Sequence, residues 1–493
     1  MRRAVCLSQR PVQTLTEQDR EQSASTPRVP NVRASQLLKV PRLWATVVVI
    51  GSIVVGVMSA LYIGSVVNPT GHLDRLPVSI VNEDAGVTVA SRQLDFGERV
   101  QSGLADSRVS RFLSLQPETL AGAETAMDTG KLYAAIVIPP QFTGSLLALS
   151  APRAASAMPA GQPTIRLLTN NRAGTEGVAL ATAVVQPAIA SVSRQIGRQL
   201  LASASRTSAA ARLLLAAPVA FSTVAYHPLP SHSALGLSAF FTALLTMLCG
   251  FLGAIIVNSA IDTALGYAAV DSGPRYGHRQ PVLISRTQTL LCKWAIAFVL
   301  TGILCGLMLV VAAGLLAMNA PDPGELWLFS WLAAASVATG TLALIAILGT
   351  PGQLIAMLLF VYLGLASAGG TFPLQALPGV LRLVNQVEPL RQILSGTRSI
   401  LYFGAKGSAG LTGGVVAAAS GLIFWLVIGT AVVRWYDRRG LHRIAPATLA
   451  YIQQVAHPGA RQDDISPERV AESHGSPVDR PERPEATDGG NGL

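Results

Sequence analysis

Charge is scarce in this chain, and cysteine scarcer. Only 13% of its 493 residues are Asp, Glu, Lys or Arg, against roughly a quarter in soluble globular proteins. Half of the residues are hydrophobic and the mean hydropathy is +0.44, which excludes an ordinary soluble domain. The four cysteines are Cys6, Cys249, Cys292 and Cys305. None falls between residues 68 and 232, so that stretch folds without disulfides. No CxxC pair and no Cys/His cluster is present, which leaves a structural zinc or redox centre without ligands.

The phosphate-binding pattern GxxxxGK followed by Ser or Thr is absent as well. "GTPGQ" at 349–353 and "GAKGS" at 404–408 lack its spacing and its Lys–hydroxyl pair, so this chain does not hydrolyse ATP by that route. HExxH, GxSxG and a GxGxxG set between strand and helix are missing too, and no catalytic residue, metal or cofactor is expected. The net charge of +10 is spread over termini, loops and the 68–232 region, without interleaved aromatics. A nucleic-acid partner is therefore not expected.

The sequence does hold long apolar runs. The first, Leu43 to Val67, follows Arg33, Lys39 and Arg42 closely, which places its N-terminal end on the cytoplasmic side. It is too long for the core of a cleaved signal peptide, sits behind a long polar leader and lacks a cleavage site. Further runs cover 233–258, 289–318, 326–348, 353–371 and 411–433, each near the ~20 residues that span hydrocarbon. Basic residues follow the second run (Arg275, His278, Arg279, Arg286) and the last (Arg434, Arg438, Arg439, Arg443), whereas the 319–325 connection carries Asp322 and Glu325.

That asymmetry puts both termini in the cytoplasm. The expected fold is an α-helical polytopic membrane protein of the plasma membrane, with six transmembrane helices and an α+β ectodomain between the first two. The lipid bilayer is its first partner. Residues 1–42 and 435–493 read as cytoplasmic and largely disordered tails. The spans are nearly free of ionisable residues, which argues against a carrier with an intramembrane acid relay.

Within the expected ectodomain, Val78–Val81, Tyr133–Ile138 and "TIRLLTNN" read as strands. Segments 91–106, 117–129 and 173–205 read as helices. Gly177 to Ser193 is uncharged and resembles a span, but Gln186, Pro187 and the following Arg194 and Arg198 favour an ectodomain helix. Asn82, Glu83 and Asp84 could serve as a cation site or acid–base pair; with no second acidic cluster or histidine at useful spacing, they read as a solvated turn.

Two groups of residues could carry a mechanism. In segment 372–404, Leu383, Val387, Leu390, Leu394 and Leu401 recur at helical spacing, and Pro378 and Pro389 can each open a short helix. This predicts two interfacial helices at the outer membrane face. Either their arginines merely snorkel to head groups, or Glu388, Arg391 and Arg398 form an external gate or vestibule. Asp262 and Lys293 stand beside span ends at opposite sides of the cytoplasmic loop between the second and third runs, where they are interfacial charges or a coupling pair.

The phrases "GHLDRLPVSIVNEDAGV" and "GKLYAAIVIPPQFTGSL" resemble the ectodomain of the YhgE/Pip and ABC-2-type permease group. "VEPLRQILSGTRSILYFGAK" is similar to its DUF3533 branch, which also contains a nitrosoguanidine-resistance protein. The resemblance covers residues 43–440 and implies six spans, an outside domain between the first two, and export. It brings no catalytic residues. In ABC-2 exporters a separate ATP-binding subunit docks on short cytoplasmic helices, and here only the 259–285 loop, with Arg275 and Arg279, is large enough to receive one. The expectation is a homodimer or heterodimer that exports amphipathic drugs or lipid-like compounds. The reading from another class is a cell-envelope scaffold or receptor whose ectodomain binds a wall component, a phage or a partner protein.

Overall fold

The computed structural model describes residues 41–443, except 90, 106–108, 151–160, 204–208, 273, 274, 278, 280, 371, 387 and 442. The two expected tails lie outside the described residues apart from their inner edges. Helix α1, Pro41–Val66, forms a compact unit of its own. Its described side chains are mostly exposed although almost all are apolar, as suits a helix surrounded by lipid.

The second unit begins with a sheet domain. Strands β1 (Leu76–Asn82), β4 (Leu113–Pro117), β5 (Ala134–Ile138), β6 (Thr164–Thr169) and β7 (Ala220–Ala225) form one mixed sheet in the order β4-β1-β5-β6-β7. Only the β5–β6 pairing is antiparallel. The short hairpin β2 (Val87–Val89) and β3 (Arg92–Leu94) stands apart. Every residue of the central strand β5, "AAIVI", is buried, because helices cover both faces of the sheet.

On one face, Val78, Ala134, Ile136 and Ile165 pack against α2 (Phe96–Ala105), α4 (Phe142–Ser150) and α5 (Thr175–Ser203). On the other, Val81, Ala135 and Val137 meet Ala123 and Met127 of α3 (Leu120–Asp128). A short helix α6, Ala209–Ala216, precedes β7. The predicted helix over 91–106 is thus shortened at its start by β3, and β4 and β7 are strands that the apolar pattern does not announce.

Five long helices follow. They are α7 (Ser238–Ala264), α8 (Arg286–Leu315), α9 (Pro323–Leu348), α10 (Thr350–Ser367) and α13 (Leu411–Arg438), with α11 (Gly379–Val384) and α12 (Pro389–Tyr402) between the last two. Helix α9 is central and packs on α7, α8 and α13. Close approach depends on small residues: a Cβ on Gly250 of α7 would come within 2.5 Å of the Ala334 carbonyl of α9. Three indoles bridge helices, with Trp327 Nε1 donating to the Gly302 carbonyl (3.0 Å), Trp331 to Phe298 (2.8 Å) and Trp294 to Thr339 (3.2 Å).

Outward-facing Phe241, Ile256, Ile303, Leu307, Ile423 and Val427 are between 51% and 61% exposed. An apolar coat of this kind marks an integral membrane protein.

Seven described helices are long and apolar enough to cross a membrane: α1, α5, α7, α8, α9, α10 and α13. Helix α5 differs from the rest in what it packs against. Val178, Ala181, Val185, Ile189, Ile196 and Leu200 recur every three, four or seven residues and are buried in the sheet domain, while Arg194 and Arg198 are exposed.

The antiparallel run of helices fixes two ends of the bundle. The sheet domain, the α8–α9 connection and α12 stand at one end, and the α7–α8 connection, the α9–α10 turn and the last turn of α13 stand at the other.

Candidate functional site

At the end away from the sheet domain, the consecutive helices α7 and α8 bring opposite charges together. Lys293 Nζ of α8 lies 2.7 Å from Asp262 Oδ1 of α7 and donates to Asn258 Oδ1 at 2.7 Å. Arg443 donates to both carboxylate oxygens, at 2.7 and 3.1 Å. The Asp262 and Lys293 side chains are only 10% and 6% exposed. A carboxylate that accepts three hydrogen bonds from two cations and a lysine with two oxygen acceptors make a geometry in which a buried ion pair can offset its desolvation.

Beside this cluster, Asp437 caps the start of α8. Its carboxylate accepts from the Arg286 and Thr287 amides (3.0 and 2.9 Å) and from the Thr287 hydroxyl (2.6 Å). Lys293, Arg443, Arg286 and Thr289 face Leu342 and Ile345 across a cavity of about 500 Å³.

The structure therefore pairs Asp262 with Lys293, as their positions beside the spans allowed. It adds Arg443, read from the sequence only as a basic flank of the last run, and Asn258 and Asp437, which carried no sequence signal. Arg279 is exposed, and Arg275 lies in a two-stranded hairpin of β8 (Val270–Ser272) and β9 (Arg275–Gly277). The 259–285 loop thus contains a hairpin where short docking helices were expected.

The second group occupies the opposite end. Glu388 is the N-cap of α12: one carboxylate oxygen accepts the Leu390 amide at 2.7 Å and the other the Arg391 amide at 2.8 Å. It is 2% exposed. Burial pushes its pKa up to about 7, against the opposing pull of the two amides and the Arg391 charge. Arg391 donates to the Asn385 carbonyl at 3.4 Å.

Arg398 lies about two turns beyond Arg391 along α12, where Tyr133 of the sheet domain faces it. Glu388 and Arg391 are thus brought together, and Arg398 is directed to a different place, beneath the sheet domain. Helix α12 does not lie free at a surface. Leu390, Ile393, Leu394, Ile400 and Leu401 are buried among α7, α9 and α13, whereas Leu383 of the expected stripe belongs to α11 and is 69% exposed.

The sheet domain rests on this segment through several polar ties. Arg382 NH1 lies 2.8 Å from Asp74 Oδ2, Arg172 donates to the Tyr402 carbonyl at 3.2 Å, and the Asp74 amide donates to the Gln375 carbonyl at 3.0 Å. Asp84, read as part of a solvated turn, instead joins two helix starts. It accepts from the Gly97 amide (3.1 Å) and from the Thr143 amide and hydroxyl (3.1 and 2.5 Å).

Toward the end that carries α12, helices α9, α10, α12 and α13 border a second cavity of about 580 Å³. Phe360, Phe424 and Trp425 form its apolar walls, and Gln386, Gln392 and Ser336 supply its polar groups. Phe360 lies in a π-helical turn of α10, Met357–Tyr362, a local widening that often accompanies a functional site. Trp425 and Phe360 meet edge to face at 6.3 Å. Both press on Gly340 of α9, where a Cβ would come within 2.7 and 2.8 Å of their rings. No sequence pattern announces this cavity, because it arises from the adjacency of four helices.

Among the described residues no group of three or more His, Cys, Asp and Glu is arranged to hold a metal. The family described as "Protein of unknown function (DUF3533)" matches residues 46–430. No curated protein and no solved structure matches the chain. With a match over most of its length, the chain belongs to the DUF3533 family.

Proposed function

We propose that this protein is an ABC-2-type permease that exports amphipathic, drug-like or lipid-like compounds across the plasma membrane. The observation that carries this reading is a pair of cavities at opposite ends of the α9–α13 seam. One is lined by Lys293 and Arg443, the other by aromatic rings and glutamines, and Trp425 and Phe360 close over Gly340 between them. An amphiphile needs polar partners for its head and an apolar wall for its tail, and the two cavities supply both.

In this reading six helices cross the membrane, α5 stays with the sheet domain outside the cell, and both termini are cytoplasmic. Energy comes from a separate ATP-binding subunit docked on the 259–285 loop, and the chain works as a homodimer or heterodimer without catalytic residues or cofactors of its own.

Topology is checked by cysteine labelling in intact cells. Cysteines at Asp322 and Gly407, both exposed, are expected to react with an impermeant maleimide, and one at Arg279 only after permeabilisation. Reaction of Arg279→Cys in intact cells sinks the orientation.

Transport is checked with rhodamine 6G as the amphiphilic probe. Deleting the gene is expected to raise its cellular accumulation several-fold. The wild-type chain restores export, while Ala417→Trp, which fills the aromatic-walled cavity, does not at equal membrane abundance. Unchanged accumulation in the deletion, together with binding of a wall component by the sheet domain in the full chain, would favour a scaffold instead.

A further inference from the structure

Among the described residues, three cations and no carboxylate line the cavity at the end of the bundle away from the sheet domain. Arg286 and Lys293 come from α8, and Arg443 follows α13. The acids that answer them stand behind the wall. Asp262 pairs with Lys293 and Arg443, and Asp437 is engaged by the Arg286 and Thr287 amides and the Thr287 hydroxyl. Three positive and two negative side chains leave the cluster one positive charge in excess.

Donors are in excess as well. Asn258 and Asp262 take two of the three N–H groups of Lys293, and Asp262 takes two of the five of Arg443. Lys293 is 5% exposed, so the donor left over meets little bulk water, and an unmet charged donor at such a depth is unfavourable. The rest of the wall is apolar and includes Leu290, Leu342, Ile345 and Val433. Cations beside an apolar wall suit a ligand with an anionic head and a hydrocarbon body.

The aromatic residues of the last turns of α13 show what surrounds the cavity. Trp435, 48% exposed, and Tyr436 stand there, and such amphipathic rings gather where a membrane meets water. The Tyr436 hydroxyl donates to the Ile347 carbonyl at 3.1 Å, and the residue lines the cavity. The Arg439 guanidinium lies 4.4 Å from the centre of the Trp435 ring, and exposed Arg434 and Arg438 extend the positive field over the same turns. The cavity is thus level with lipid head groups.

We infer that this cavity binds the phosphate of one anionic phospholipid drawn from the surrounding bilayer. Arg286, Lys293 and Arg443 surround the phosphate, and Leu290, Leu342 and Val433 meet the glycerol and the first methylenes. Basic pockets between membrane helices hold anionic head groups in this way. The volume of about 500 Å³ falls within the roughly 300–1,000 Å³ of small-molecule sites. Charge selects the lipid: a phosphatidylcholine head brings a cation of its own into a wall with one too many, whereas phosphatidylglycerol brings only the anion. A free phosphate would meet the cations but leave the apolar wall in water. The lipid bridges α8 and the end of α13 without being cargo, so the assignment goes beyond the export proposed above and does not depend on it.

Titration of the purified full-length protein, delipidated in neutral detergent, tests this with phosphatidylglycerol labelled on its acyl chain and with phosphatidylcholine carrying the same label. One phosphatidylglycerol per chain is expected, bound about tenfold more tightly than phosphatidylcholine. Arg443→Gln, which leaves Asp262 its Lys293 partner, is expected to weaken phosphatidylglycerol about fivefold with no change for phosphatidylcholine. Ala346→Trp fills the cavity while keeping every charge and is expected to abolish the site. Equal binding of the two lipids by the wild-type protein overturns the proposal, whether or not the variants fold. Wild-type affinity in both variants, folded by circular dichroism, overturns it too, because the lipid then lies elsewhere. Displacement of the labelled lipid by millimolar glycerol 3-phosphate would overturn the lipid as the source and assign the cavity to a soluble phosphate ester.

Discussion

Replacing Asp262 by alanine is expected to destabilise the protein by about 3–5 kcal/mol, the cost typical of breaking a buried ion pair from one side. Lys293, whose side chain is 6% exposed, would be left with Asn258 as its only oxygen partner. Arg443 is one-third exposed and can turn toward water, so the loss arises mainly from the lysine. Removing both charges in Asp262→Leu combined with Lys293→Met should recover most of the stability, since a well-packed apolar pair can match a buried salt bridge. Unfolding by sodium dodecyl sulfate, followed by circular dichroism, measures both variants. A loss below about 1 kcal/mol in the single variant, the range of solvent-exposed pairs, would mean that water reaches Lys293.

The same cluster shows how far the sequence could be read. Long uncharged runs announce membrane helices because hydrocarbon leaves the backbone no other partner, and all six runs became helices whose ends shift by only a few residues. Charges beside span ends also stand out, which is why Asp262 and Lys293 could be named. Their third partner could not, because Arg443 follows the last helix in a polar stretch that looks like tail.

Segment 372–404 was harder to read. Its apolar stripe joins Leu383 to Leu390 across Pro389, but the proline starts a new helix with a different buried face. What covers that face is α7, α9 and α13, and the sheet domain supplies Tyr133 over Arg398, none of which local periodicity contains. Strand β7, "AFSTVA", was lost for a related reason. Small and polar residues suffice at the edge of a sheet.

Glu388 gives the second large effect. An unfolded chain would release its proton near the ordinary carboxyl value of 4.5, whereas in the folded protein burial holds it to about 7. Between those values the folded state binds the extra proton, so stability falls as pH rises across this window and is greatest below it. At about 1.4 kcal/mol per unit the loss is about 3.5 kcal/mol. Glu388→Gln keeps an oxygen that can accept a helix amide but cannot ionise, so its stability should lack this slope between pH 4.5 and 7. The consequence reaches the aromatic-walled cavity, because Pro389, Gln392 and Ile393 on the first turns of α12 line it. Loss of the proton would then loosen the helix that borders the cavity, and opening at that end would grow easier as the surroundings become less acidic. Parallel pH profiles for the wild type and Glu388→Gln would show that the carboxyl is solvated and does not govern the seat of α12.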